Sequence, residues 1–465
     1  MGGPAWEWAE DQIMKYDAVV IGGGPGGYAC ALRLARYGIH TALVEKDVLG
    51  GNCLNRGCIP AKTLLFGSAL LARAREGKLF GISAKAVHPD YEALRSRCAE
   101  VTGTLRGGMQ KMLRQQKVDV IYGRGQLVEA GKVSVETRDN VEILEAGAVV
   151  LAAGAVPAEP TIPGTNLAGV YTSDTLLSDL PELPRLVIIG GGSTGMEFTE
   201  LYHTFGTDVT VLESGARVLD AMDGAFARQL TARFRKKGVK ILTRASVREI
   251  LRENGELVVR YAVEEAEKEI RTDGVLLASS RRANTKGLSL LPLEEIEGRI
   301  CIDENCRTSV PGVYAVGDIA GSGPQLAHRA EAQGKIAAAA IAGKPCRICM
   351  DLIPQVVYTR PEIASVGLTE EEARKRKLKV NVSAVRMDGN AQSFIAHETG
   401  SVKLIARKDG TLIGAAFQCE EASNLISEAT LAIKAGMQAE DFAAIIRPTP
   451  SLAEALGEAA EAMGN

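Results

Sequence analysis

The sequence predicts an α/β protein with two doubly wound domains. Two observations carry that expectation. Residues 16–45, YDAVVIGGGPGGYACALRLARYGIHTALVE, and residues 185–213, RLVIIGGGSTGMEFTELYHTFGTDVTVLE, repeat one pattern at an offset of 168 positions. Each copy runs from an apolar, strand-type stretch through G-x-G-x-x-G into a helix-period stretch and a second β-rich run. The length, 465 residues, leaves room for about three domains of roughly 150 residues each.

The spacing inside each copy fits a Rossmann-like dinucleotide cradle. Gly22 and Gly190 would make the tight turn, Gly24 and Gly192 would let backbone approach a pyrophosphate, and Gly27 and Gly195 would let helix pack close to strand. The helix start offers N–H groups and a partial positive charge to the phosphates. Each copy ends on an acid, Glu45 or Glu213, eighteen residues past the last glycine of its G-x-G-x-x-G motif. Such an acid accepts hydrogen bonds from ribose hydroxyls. Two copies in this context imply two dinucleotides, one a flavin and the other a nicotinamide. No lysine or arginine directly follows Glu213, so a 2′-phosphate there would meet a carboxylate, which favours NAD over NADP. Arg217 is the exception to weigh, since an arginine four residues on could reach a phosphate.

Next comes GGNCLNRGCIPAKTLL, with Cys53 and Cys58 five positions apart. Pro60 suits a first helical turn, so Cys58 is expected at a helix N-terminus, where a thiolate is stabilised. A metal site would need more ligands than the neighbourhood offers. A structural staple closing so short a loop would remove little unfolded-state entropy. The residues therefore favour a redox dithiol. The stretch CIDENC, with Cys301 and Cys306, has the same spacing but no glycines or helix start, and reads as strand and turn with ordinary buried cysteines. CRIC, with Cys346 and Cys349, lacks a strand–helix context.

The bulk composition excludes other classes. Net charge is −3, from 54 basic and 57 acidic residues that are interspersed. That leaves no basic footprint for nucleic acid or for a membrane surface. There is no secretory signal and no membrane-spanning apolar run. Nine scattered cysteines do not resemble a secreted disulfide framework. A cytoplasmic protein is expected, with no metal site. Residues 1–13 lack periodicity and read as an extension or tag.

Taken together, these motifs closely resemble the pyridine nucleotide-disulphide oxidoreductases, and within them the branch that oxidises dihydrolipoamide. The resemblance runs from Tyr16 to the C-terminus. GGNCLNRGCIPAKTL is similar to the redox-disulfide motif, with Asn52 where threonine is usual. TSVPGVYAVGDIAG resembles a second flavin-binding motif, and IPQVVYTRPEIASVGLTEEEA the start of a dimer-interface domain. The resemblance implies an FAD-binding domain over 14–150 that resumes over 276–346, a NAD-binding domain over 151–275, and an α+β dimerisation domain over 347–465. It implies a homodimer acting on a dithiol or disulfide, a lipoyl group that a carrier or acyltransferase protein could present. Cys58 would lie against the flavin as the charge-transfer thiolate, and Cys53 would exchange with substrate. Lys62 matches the lysine near flavin N5 and Glu197 the acid that pairs with it. Asp318 would bind the ribityl chain, with Gly51 and Gly154 among the FAD-binding positions. Ser214 and Asp220 stand where NADP-using relatives carry arginine.

The pattern breaks near the C-terminus. Relatives place a histidine in His-Pro-Thr-x-x-Glu as general acid and base toward the partner subunit's thiols. Here IIRPTPSLAEAL puts Thr449 at that position and Arg447 at the other histidine, and Glu454 keeps the acid that orients the base. A positioned base contributes about 10²–10⁴ in rate, so slow lipoamide turnover is expected beside an intact hydride half-reaction. The alternative is a related flavin reductase serving another acceptor, such as a quinone, a metal ion or another disulfide. Against a mercuric-reductase type, the tail EAAEAMGN lacks the cysteine pair such enzymes carry.

Overall fold

The computed structural model describes residues 13–158 and 160–463. The expected extension over 1–13 lies outside the described residues, except Ile13, which opens the first strand. The chain forms two compact units.

One unit combines the chain up to residue 61 with 95–158 and 280–350. Its seven-stranded sheet runs Asp119–Tyr122, Thr41–Glu45, Ile13–Ile21, Val141–Leu151, Lys132–Glu136, Arg124–Glu129, and Val313–Ala315 also pairs with Val141–Leu151. The first four of these strands and the returning Val313–Ala315 are parallel. All five residues of Thr41–Glu45 are buried: Leu43 packs with residues of two helices such as Leu34 and Ile336, while Ala42 and Val44 pack on the other face with Leu127, Val133 and Val135 of the antiparallel strands. The two outer strands are antiparallel and alternate buried with exposed positions, as expected where one face meets water. Helices Pro25–Arg36 and Ala327–Ile341 pack against each other so closely that a Cβ on Gly334 would collide with the Gly26 carbonyl. Cys30 and Cys306 belong to this core. Burial pushes the Cys306 thiol up to about 12 and the Cys30 thiol further, which fits the reading of Cys306 as an ordinary buried cysteine.

The other unit holds 62–94, 160–279 and 351–463. A five-stranded parallel sheet runs Lys240–Leu242, Asp208–Leu212, Arg185–Ile189, Gly274–Leu277, Val170–Thr172. Beside it lies a three-stranded antiparallel sheet, Ala245–Glu253, Glu256–Val263, Ala266–Thr272. The C-terminal part is a five-stranded antiparallel sheet, Gln355–Val357, Glu362–Gly367, Leu412–Cys419, Ser401–Arg407, Val380–Arg386. Helix Ala422–Lys434 presents Ile426, Ala429 and Ala432 to its core, joined by helix Glu454–Glu461. This is the predicted α/β architecture with a C-terminal α+β part. Among the described residues no helix is long and apolar enough to cross a membrane.

A buried ion pair ties the parallel-sheet part to the C-terminal sheet. Lys403 Nζ lies 2.7 Å from Asp223 Oδ2, with side chains 7% and 4% exposed. Asp223 also caps helix Gly224–Lys236, accepting from the N–H groups of Ala225 and Phe226. Removing one partner of such a pair leaves a desolvated charge. Lys403→Met is therefore expected to destabilise the protein by about 3–5 kcal/mol, read as a lowered midpoint in urea unfolding. A midpoint equal to wild type would show that water reaches the pair.

Candidate active site

Each glycine turn is built by its own sequence. The strand Ile13–Ile21 ends at Gly22, whose φ of +109° is left-handed territory, and Gly190 after strand Arg185–Ile189 has the same value. A Cβ on Gly27 would collide with the Gly22 carbonyl, and one on Gly195 with that of Gly190. A Cβ on Gly192 would meet nothing within 4 Å, and one on Gly24 would meet only Gly51 Cα at 3.9 Å. The third glycine is thus filled space and the second borders open space at a helix start, the arrangement a pyrophosphate needs. Gly51 packs on the first turn, since its own Cβ would come 2.8 Å from Gly24 Cα.

The two acids behave alike. Glu45 accepts the Gly23 N–H at 2.7 Å and the Asp47 N–H at 2.9 Å. Glu213 accepts the Gly191 N–H at 2.6 Å and the Gly215 N–H at 2.5 Å. Backbone donors thus fix each carboxylate beside its turn, with further lone pairs left for ribose hydroxyls. Both cradles fit a dinucleotide.

Asp318 sits in the short turn Gly317–Ile319, whose Gly317 N–H donates to Gln333 Oε1 at 2.8 Å. Burial pushes its carboxyl above the usual range, while Arg281, Arg329 and Arg299 pull it back. Nothing lies within 4 Å of a Cβ on Gly154, and its carbonyl accepts the Asn284 N–H at 2.9 Å.

Cys53 lies in the short helix Gly51–Asn55, and Cys58 opens helix Cys58–Glu76, as the proline suggested. Both are half-buried. Asn55 pins the short helix, donating to the carbonyls of Leu49 and Gly51 at 3.0 and 2.8 Å. Arg106 in turn donates to Asn55 Oδ1 at 2.8 and 3.1 Å.

Lys62 lies four residues past Cys58 on the same helix. The structure brings it to Glu197, Nζ to Oε2 at 2.8 Å. Glu197 is the fifth residue of helix Ser193–Phe205 and buried, so it does more than complement the helix dipole. Its other oxygen accepts the Tyr358 N–H at 3.1 Å, and the Tyr358 ring lies 4.5 Å from Lys62 Nζ. Sequence reasoning missed Tyr358. Nothing local marks it, because its partner is 161 positions away.

Near the C-terminus, exposed Thr449 donates from Oγ1 to Glu454 Oε1 at 2.5 Å, and the Ser451 N–H holds Oε2 at 2.8 Å. Those two donors hold the Glu454 carboxyl below the usual range. Arg447 is a structural clamp. It donates to Glu428 Oε1 at 2.7 and 3.1 Å, lies 4.7 Å above the Phe442 ring, and its side chain is 6% exposed.

Comparison with known proteins places this arrangement in context. Residues 16–334 match the family described as pyridine nucleotide-disulphide oxidoreductase, and residues 353–460 its dimerisation domain. The chain is 39% identical over 458 residues to a dihydrolipoyl dehydrogenase of Bacillus subtilis, with 97% of each chain covered. It is 37% identical over 460 residues to one of Geobacillus stearothermophilus, again covering 97% of each. Among solved structures, LpdA of Mycobacterium tuberculosis superimposes with a TM-score of 0.89 at 26% identity, covering 97% of this chain and 99% of that one. A copper(II) complex of RclA, an HOCl-induced flavoprotein disulfide reductase of Escherichia coli, gives 0.85 at 27% identity, covering 96% and 99%.

Proposed function

The chain belongs to the pyridine nucleotide-disulphide oxidoreductases, and from that membership we propose that it converts dihydrolipoamide and NAD⁺ to lipoamide and NADH. It is a flavoprotein disulfide reductase, and its cofactors are FAD and NAD(H). The observation that carries the lipoyl reading is near-full-length similarity, at 39% and 37% identity, to two dihydrolipoyl dehydrogenases.

When bound, FAD takes up the electron pair of a dithiol and NAD⁺ carries it away as hydride. The rest falls to the chain. Gly22, Gly24, Gly27, Glu45, Gly51, Gly154 and Asp318 would hold FAD, and Gly190, Gly192, Gly195 and Glu213 would hold NAD. One substrate thiolate attacks Cys53 of a Cys53–Cys58 disulfide, so that a mixed disulfide forms and Cys58 leaves as thiolate. The second substrate thiolate displaces Cys53, and lipoamide departs as a cyclic disulfide. The two electrons now rest on the chain's thiols. Cys58, at its helix start, is the sulfur better placed to stay ionised. Lys62 would stand near flavin N5, and Glu197 with Tyr358 fixes its Nζ. NAD rather than NADP is favoured by Glu213. The substrate is a lipoyl group presented by a carrier or acyltransferase, and the enzyme works as a homodimer with the C-terminal sheet at its interface.

Thr449 favours a second reading. A hydroxyl cannot take a thiol proton near neutral pH, so an acceptor that needs no thiol protonation, such as a quinone or metal ion, suits this chain. Anaerobic titration with NADH, followed by steady-state rates on lipoamide and an acceptor panel, separates the two. The lipoyl reading expects a long-wavelength band from a thiolate beside the flavin and lipoamide ahead of the other physiological acceptors. A quinone or metal ion reduced faster than lipoamide would transfer the assignment to the second reading.

A further inference from the structure

Arg217 follows Glu213 by four residues and is the cation nearest in sequence to the ribose acid. The main chain at Arg217 passes beside that acid. A Cβ built on Gly215 would lie 2.9 Å from Glu213 Oε1 and 3.6 Å from the Arg217 carbonyl oxygen. The guanidinium, however, is turned to other partners. Nη1 and Nη2 donate to the two carboxylate oxygens of Glu371 at 2.8 and 2.9 Å. Nε donates to Asp220 Oδ1 at 3.1 Å, and Nη2 also reaches the carbonyls of Asp220 and Met222 at 2.9 and 3.4 Å. Gly224 opens the slot for this pair, since a Cβ there would collide with both Arg217 Nη1 and Glu371 Oε1. A parallel two-bond pair is the strongest grip a carboxylate has on arginine.

We propose that Glu371 is a specificity-determining residue for the nicotinamide cofactor. It lies 154 positions from Arg217, in the C-terminal part of the chain. By holding the guanidinium it keeps Arg217, the cation nearest in sequence, away from the ribose 2′ position, and Glu213 is left to face a hydroxyl. Without Glu371 the remaining grip is weaker, since it comes from the Asp220 side chain, 91% exposed, and the neutral carbonyls of Asp220 and Met222. The loop itself is fixed independently of this pair. The Leu219 N–H donates to the Gly191 carbonyl and the Arg244 N–H to that of Gly215, both at 2.9 Å. Loss of Glu371 would thus release a side chain, not a loop. A freed guanidinium beside a 2′-phosphate gains a charge-assisted hydrogen bond, about ten- to hundred-fold in affinity. The inference rests on the NAD reading above and adds the residue that enforces it.

The test uses purified, FAD-loaded protein, and reads the Kd of NAD⁺ and of NADP⁺ by isothermal titration calorimetry beside kcat/KM for NADH and for NADPH with ferricyanide as acceptor. In Glu371→Ala the NADPH/NADH ratio is expected to rise about tenfold or more, mainly through a lower KM for NADPH. In the double variant Glu371→Ala, Arg217→Ala the gain should vanish, which a merely loosened loop would not produce. Glu371→Gln keeps the shape with a weaker grip and should show a smaller rise; it stands in if the alanine variant does not fold. A folded, flavin-loaded Glu371 variant whose ratio stays within about twofold of wild type, or a rise that persists in the double variant, overturns the proposal alone. A wild-type enzyme that prefers NADPH overturns the NAD reading and this proposal together.

Discussion

Cys53→Ser is expected to lower lipoamide turnover by on the order of 10³-fold or more, while NADH-driven ferricyanide reduction falls far less. Serine is close in size to cysteine, and the half-buried position in helix Gly51–Asn55 can take it without repacking. A hydroxyl cannot form a mixed disulfide, so exchange with substrate stops at its first step. The cradles that hold the cofactors do not depend on the Cys53 sulfur. Both activities should be measured on one preparation with its flavin content recorded. If they decline in parallel, Cys53 supports the fold or the flavin site and does not meet substrate.

The opposite sign is expected for Thr449→His. Lipoamide turnover should rise by about 10²-fold, with about 10⁴-fold as the ceiling for a well-placed base. The support for an imidazole is already in place. Glu454 takes the Thr449 hydroxyl at 2.5 Å and is itself held by the Ser451 N–H. The Ser451 N–H bond survives the substitution and still favours the ionised carboxylate, which can orient an imidazole N–H and stabilise the cation formed when the ring takes a proton. The rate should acquire a new ionisation near the ordinary histidine value of about 6.5, with activity rising as pH passes upward through it, since only the neutral ring accepts a proton. Ferricyanide reduction should show no such limb. A folded histidine variant with unimproved lipoamide turnover would mean that thiol deprotonation does not limit this enzyme, and would strengthen the case for another acceptor.

The two cradles were readable from sequence because everything that makes them is local. Turn, helix start and acid fall within one strand–helix–strand unit, and the glycines mark where no side chain fits. The helix start at Cys58 was readable for the same reason, through Pro60. The pairing of Lys62 with Glu197 came only through family resemblance, because the two lie 135 positions apart and neither betrays its partner. Tyr358 and Glu371 stayed invisible. One supplies a backbone N–H and a ring face, and the other is one of three adjacent glutamates, Glu370, Glu371 and Glu372, opening a short helix. Composition sees only a charged surface there, although Glu371 takes Arg217 and Glu370 and Glu372 make different contacts. That threonine stands at 449, where the resemblance expects a histidine, is legible letter by letter, but the Thr449–Glu454 bond is not, since it depends on how the chain folds back.

Arg447 bears on how such a chain can change over generations. Its stacking on Phe442 and its two bonds to Glu428 anchor the segment from inside, while the exposed side chain at 449 bonds to Glu454. Reactivity and foldability are therefore separable along these few residues. On the reading proposed above, in which position 449 bears on the acceptor, one codon there could change without touching the Arg447 clamp.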